Sequence, residues 1–198
     1  MQMQIFRKVV LGLMVLGLTV GMLAILSCGG SDDNTVKRQA NLTGAAERTP
    51  ANAPNPATVN TPGSGTAVLT VSEDQKQIAY TLTYTGLSNV QQAHIHVGSA
   101  DVAGPIILFL CTNIGTGTNV NCSGGPLPTP QACPTSAGTV TGTLTTADLS
   151  CKPASATAGT PAINNFADAV AQLTSGNTYT NVHTAANPGG EIRGQDTP

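Results

Sequence analysis

Short runs of alternating apolar and polar residues, punctuated by clusters of turn formers, set the tightest limit on what this chain can fold into. Residues 66–71 (TAVLTV) and 77–85 (QIAYTLTYT) alternate with period two, and 72–76 supplies the turn between them. Side chains of a strand point to opposite faces in turn, so this pattern fits half-buried strands and no helix. Further strands are predicted at 93–97 (AHIHV), at 105–110 (PIILFL), apolar enough to be central, and at 138–145 (GTVTGTLT). The last of these echoes 65–71 (GTAVLTV), a similarity of two strands and not a repeat architecture. A closing hairpin is predicted from 178–184, a turn at Asn187-Pro188-Gly189-Gly190, and 191–195. Aromatics are only 3% of the residues and charged side chains 9%, with Gly, Thr, Ala, Asn and Pro filling the gap. That composition also favours an all-β domain. One helix interrupts the pattern, near 162–175. Thr160 would cap it, Pro161 would take its first position, Ile163, Phe166, Val170 and Leu173 recur at helical spacing, and Gly176 ends it.

The N-terminus predicts where the domain works. Arg7-Lys8 precedes an apolar run from Val9 to Leu26, and Ile25-Leu26-Ser27-Cys28 leads into Gly29-Gly30-Ser31-Asp32-Asp33. An aliphatic residue three before a cysteine, with a small one just before it, resembles the bacterial lipobox. This implies a signal peptide over 1–27, a lipidated Cys28 and a polar tether over 28–39. The domain itself then spans 40–198. The expected location is extracytoplasmic and lipid-anchored, at an outer membrane or cell surface, since position 29 is Gly and not the Asp associated with inner-membrane retention. Cleavage would remove the two positive charges Arg7 and Lys8, taking the net charge from −2 to −4. No basic stripe remains, so a nucleic-acid partner is excluded on electrostatic grounds. The lipid anchor is the one membrane contact expected, and nothing in the sequence names a protein partner.

With Cys28 set aside, Cys111, Cys122, Cys133 and Cys151 remain. An even number in an exported chain reads as two disulfides, with three connectivities open. The stretch 111–134 is a long Gly/Pro/Asn loop that disulfides would hold down.

Three histidines follow the export segment, all on predicted strands. In 93–97, His94 and His96 alternate with Ala93, Ile95 and Val97, so both project away from the apolar face with Cα atoms roughly 6.5–7 Å apart. His183 alternates with Val182 and also faces away from the core. Two readings stand side by side. The rings are solvated or brace the Asn-Pro-Gly-Gly turn, or His94, His96 and His183 converge on one ion. Three neutral nitrogens suit copper or zinc, with copper favoured by intrinsic affinity. All four Met residues precede Cys28, so no thioether is available to favour Cu(I). Glu191 and Arg193 share a face across Ile192; they pair on the surface or support His183 from behind. No catalytic residue is assigned, since no GxSxG elbow occurs and no further histidine could bridge a second metal.

Leu42-Thr43-Gly44 with Glu47, the TAVLTV and QIAYTLTYTGL segments, Ala93-His94-Ile95-His96, and the block Asn181-Val182-His183-Thr184 to Asn187-Pro188-Gly189-Gly190-Glu191-Ile192-Arg193-Gly194-Gln195 together resemble the CHRD domain, named after chordin. The chain departs from that pattern after Glu47, where Arg48-Thr49-Pro50 and a Pro/Asn-rich insertion replace the usual Val-Pro-Pro. The resemblance implies a Greek-key-like β-sandwich. It shares with copper/zinc superoxide dismutases an early HxH strand and a lone histidine before a late Gly-rich turn. Bacterial relatives carry a cysteine after the PIILFL-type strand and a Cys-Pro before the GTVTGTLT-type strand, which implies Cys111–Cys133 and with it Cys122–Cys151. The function expected is a non-enzymatic, extracytoplasmic binding module. A structural or adhesive envelope protein without metal is the alternative, and a copper-dependent oxidoreductase the third reading.

Overall fold

The computed structural model describes residues 35–48, 58–156 and 159–198. The export segment, Cys28, the start of the tether and the Pro/Asn-rich insertion lie outside the described residues. Among the described residues eight strands form the sheet: β1 Val36–Thr43, β2 Ser64–Val71, β3 Ile78–Thr85, β4 Val90–Val97, β5 Ile106–Thr112, β6 Gly138–Leu144, β7 Thr178–Thr184 and β8 Ile192–Gln195. All their pairings are antiparallel, in the order β5-β4-β7-β8-β1-β2-β3-β6. The expected all-β class with one short helix holds, and the sandwich takes the form of one sheet rolled until it nearly closes. Its end strands β5 and β6 come together where Tyr80, on β3, donates its hydroxyl to the Leu110 carbonyl at 2.7 Å.

Alternation builds the interior. Along β3 buried and exposed residues alternate without a break, with Ile78, Tyr80, Leu82 and Tyr84 inside. Ala67 on β2 and Val140 on β6 both stand opposite Leu82, and Gly65 and Gly138 both stand opposite Tyr84. The two strands that read alike in the sequence therefore flank one partner in matching register. Gly142 faces Tyr80, and a Cβ there would lie 2.7 Å from the phenol ring, which explains a glycine in mid-strand.

The two largest differences from the sequence reading are the start of the first strand and the start of the helix. The strand β1 begins at Val36, inside the expected tether, because residues 36–39 pair with Val71 through Val68. Arg38 explains how so polar a stretch is kept in place: its guanidinium donates to the carbonyls of Leu173 (3.2 Å) and Thr174, which end the helix. That helix, α1, is Phe166–Thr174 and is capped by Asn165, whose side chain accepts from Asp168 N at 3.0 Å; Thr160 is not its cap. Residues before it are held extended, since Ile163 and Lys152 exchange backbone hydrogen bonds of 2.7 and 2.9 Å. Phe166, Ala169, Val170 and Leu173 form its buried stripe, and Gly176 ends it with φ of 74°.

Disulfides join Cys111 to Cys133 and Cys122 to Cys151, the pairing that the resemblance implies. They pin the long loop after β5, helped by Asn113, whose amide donates to the carbonyls of Val90 and Cys133 and accepts from Cys133 N. Two disulfides fit an oxidising, extracellular location. Among the described residues no helix is long and apolar enough to cross a membrane.

Candidate metal centre

Strands β4 and β7 are neighbours, and their register decides which side chains meet. His94 lies opposite Asn181, His96 opposite Tyr179, and Gln92 opposite His183. Phe109 on β5 stands on the other side of His94, and Arg193 on β8 stands on the other side of Asn181. Ala93, Ile95, Val97 and Val182 belong to the interior core, so the residues between them line the outer face of the sheet. The alternation expected of the histidines is thus observed.

Their exposure is the correction. His94, His96 and His183 are only 1%, 7% and 8% exposed, so none is a solvated surface group. Two loop segments cover them, each hydrogen-bonded to one ring. The carbonyl of Gly104 accepts from His96 Nδ1 at 2.8 Å, and that of Pro188 accepts from His183 Nδ1 at 3.0 Å. Gly104 can lie this close because a Cβ there would collide with the Val97 carbonyl. A carbonyl only accepts, so each Nδ1 carries the ring's proton and each Nε2 keeps its lone pair. His96 Nε2 has no hydrogen-bond partner, and neither nitrogen of His94 has one.

The three rings stand close together. Centroids are 4.7 Å apart for His94–His183, 5.5 Å for His94–His96 and 6.0 Å for His96–His183. One nitrogen from each can be chosen so that all three lie within 4.8 Å of one another. Burial, and then the neighbouring rings, hold His94 well below the ordinary histidine range. His96 is pushed down to about 3, by burial first and by His183 second. Burial also lowers His183, against the opposing hydrogen bond to Pro188. The cluster is therefore neutral and keeps lone pairs available.

Around the rings is a packed polar layer. Phe109 meets His94 edge-on at 4.5 Å, and Tyr179 stacks on His96 at 4.7 Å with planes 12° apart. Arg193 lays its guanidinium 3.4 Å over the Tyr179 ring and donates to the Ser99 carbonyl at 2.8 Å. Glu191 accepts from Thr61 Oγ1 at 2.5 Å and from Thr184 Oγ1. Glu191 and Arg193 are both buried and do not pair on the surface. Neither hydrogen-bonds His183; that support comes from the Pro188 carbonyl. Arg193 reaches the site through Tyr179, and Glu191 ties residues 61 and 184 beside it.

Sequence reasoning assigned no role here to Tyr179, Asn181 or Glu47. The first two share the His183 face by the alternation of β7, a signal already present in TYTNVHT. Glu47 follows β1 and is 1% exposed, with burial raising its pKa. No sequence pattern links it to β7.

No curated protein and no solved structure matches the chain. One family model does, that of the CHRD domain, over residues 38–195. This interval runs from β1 through β8 and holds all three histidines and both disulfides, and the chain belongs to the CHRD domain family.

Proposed function

We propose that this domain is an extracytoplasmic binding module that holds one copper or zinc ion through His94, His96 and His183. One observation carries the reading: three buried, neutral imidazoles face one another with one nitrogen of each within 4.8 Å of the others, and both nitrogens of His94 and Nε2 of His96 lack any hydrogen-bond partner. Leaving a buried polar atom unpaired costs about 1–3 kcal/mol, so such a cluster needs a compensating ligand. Nitrogens bound at ~2.0–2.1 Å to one tetrahedral ion lie roughly 3.4 Å apart, so small ring movements suffice. The carbonyls of Gly104 and Pro188 fix the tautomers of His96 and His183, the role that hydrogen-bond acceptors behind metal-bound histidines serve. Because the site is sealed, it suits retention of an ion better than turnover of a substrate. Acylation at Cys28 would tether the module to the membrane from outside.

Calorimetric titration of chelator-stripped protein with Cu(II) or Zn(II) tests this. Wild type should bind one ion per chain, and His94→Ala, His96→Ala and His183→Ala should each abolish tight binding. Equal, weak binding by all four proteins would leave the histidines a bracing role alone.

A further inference from the structure

We propose that Asn181 supplies the fourth donor of this centre through its side-chain oxygen, with Glu47 orienting the amide; the proposal rests on the three-histidine reading. Asn181 is 2% exposed and occupies the middle of the outer face, opposite His94 on one side and Arg193 on the other. Its Oδ1 stands 3.0 Å from His183 Nε2. The oxygen therefore points to the region where the ring nitrogens converge.

Counting protons shows why this arrangement calls for a cation. His183 Nδ1 faces the Pro188 carbonyl, and His183 Nε2 faces the Asn181 oxygen. A neutral imidazole has one N–H for two acceptors. Given to Pro188, it leaves the lone pair of Nε2 directed at the lone pairs of Oδ1. Turning the amide round would present Nδ2 to His183 but would bring Oδ1 to face Glu47. The Glu47 Oε2 atom is buried and makes no hydrogen bond of its own; burial raises the pKa of this carboxyl, and the neighbouring Asn181 amide is among the groups that oppose the rise. A Cβ on Gly190 would lie 2.4 Å from Glu47 Oε2 and 3.0 Å from Asn181 Nδ2, so the carboxylate and the NH2 group both flank that glycine. Nδ2 is thus turned towards Gly190 and the side of Glu47, and Oδ1 stays aimed at the histidines. A cation between Nε2 and Oδ1 converts the facing lone pairs into two donors.

Four protein donors, three nitrogens and one neutral oxygen, complete the tetrahedral shell of zinc or the four strong positions of Cu(II). None of these four positions remains for a water or a substrate, and the Glu47 carboxylate, which flanks Gly190 with the Asn181 amide, offsets part of the ion's charge.

The test loads wild type, Asn181→Ala, Asn181→Asp and Glu47→Gln with one equivalent of Cu(II). Electron paramagnetic resonance is then recorded in ordinary and heavy water, with circular dichroism of each protein as the folding check. A closed shell predicts no exchangeable water on copper in wild type. Asn181→Ala should gain one, shift the spectrum and bind roughly 10–100-fold more weakly. Asn181→Asp, close to isosteric, should keep the closed shell and bind more tightly through its anionic oxygen. Glu47→Gln should shift the spectrum without admitting water. Copper-bound water in wild type, or an Asn181→Asp spectrum and affinity matching wild type, would overturn the role of Asn181 while leaving the histidine site intact. Wild type that binds no copper would overturn the histidine site itself.

Discussion

His94 offers a substitution whose effect on stability should change sign with metal. Its ring is 1% exposed, lies edge-on to Phe109 at 4.5 Å, and has no partner at either nitrogen. In metal-free protein each orphan nitrogen costs about 1–3 kcal/mol, whereas an apolar side chain of similar size has no polar atom to satisfy. His94→Leu should therefore raise the unfolding free energy of metal-free protein by ~1–3 kcal/mol at pH 7.5, part of the gain being lost to imperfect packing. Acid should widen the difference. The folded-state pKa of His94 is depressed, so below the unfolded value of ~6.5 the unfolded chain binds a proton that the folded chain refuses. Wild type then loses up to ~1.4 kcal/mol per pH unit at this residue, and the variant does not. With metal the order reverses. Wild type at a thousandfold excess over its dissociation constant gains ~4.1 kcal/mol, and His94→Leu gains little. Urea unfolding at pH 7.5 and 5.5, in chelator and in Zn(II), measures all four quantities. A variant less stable than wild type in chelator, with an unchanged zinc response, would refute the reasoning: His94 would then be an ordinary packed side chain.

Asp196 should give the opposite pH signature. Burial raises its pKa to about 6, although Thr178 and Thr180 both donate to it. The folded state thus keeps a proton that the unfolded chain loses near 3.9, so stability from this group is complete below pH ~4 and falls by about 3 kcal/mol as pH rises through 6. Asp196→Asn removes that loss. Its stability difference from wild type, in which the shared histidine contributions cancel, should grow between pH 4 and 7; a flat difference would count against it. Opening Cys111–Cys133, 22 residues apart, by a double Ser substitution should cost roughly 3 kcal/mol in the chain-entropy picture, read from denaturant midpoints with the other disulfide intact. For the anchor, Cys28→Ser should abolish acylation and cleavage, and mass spectrometry finding any mature N-terminus other than an acylated Cys28 in wild type would dismiss the lipoprotein reading.

The sequence made the sheet legible wherever one face is core and the other solvent, because period-two alternation records that contrast; β3 is the clearest case. It also placed the three histidines on one outer face. Their burial was hidden, since it comes from Gly104 and Pro188 folding over that face, and a strand's own pattern cannot report what a distant loop covers. The start of β1 was hidden for a related reason. Lys37, Arg38 and Gln39 read as tether until α1 is known to end beside Arg38. Asn181 and Glu47 were missed because their meaning depends on cross-strand register and on Gly190 bringing β7 to the end of β1. Tyr179 and Asn181 could have been found by extending to TYTNVHT the alternation argument already applied to His183.

The central claim is that this outer face holds a resident ion, and elemental analysis of the protein purified from its native compartment, without added metal or chelator, addresses it most directly. The account predicts about one copper or zinc per chain in wild type and a trace in His96→Ala, with both proteins folded by circular dichroism. Metal content far below one per chain in wild type, unchanged by the substitution, would contradict it.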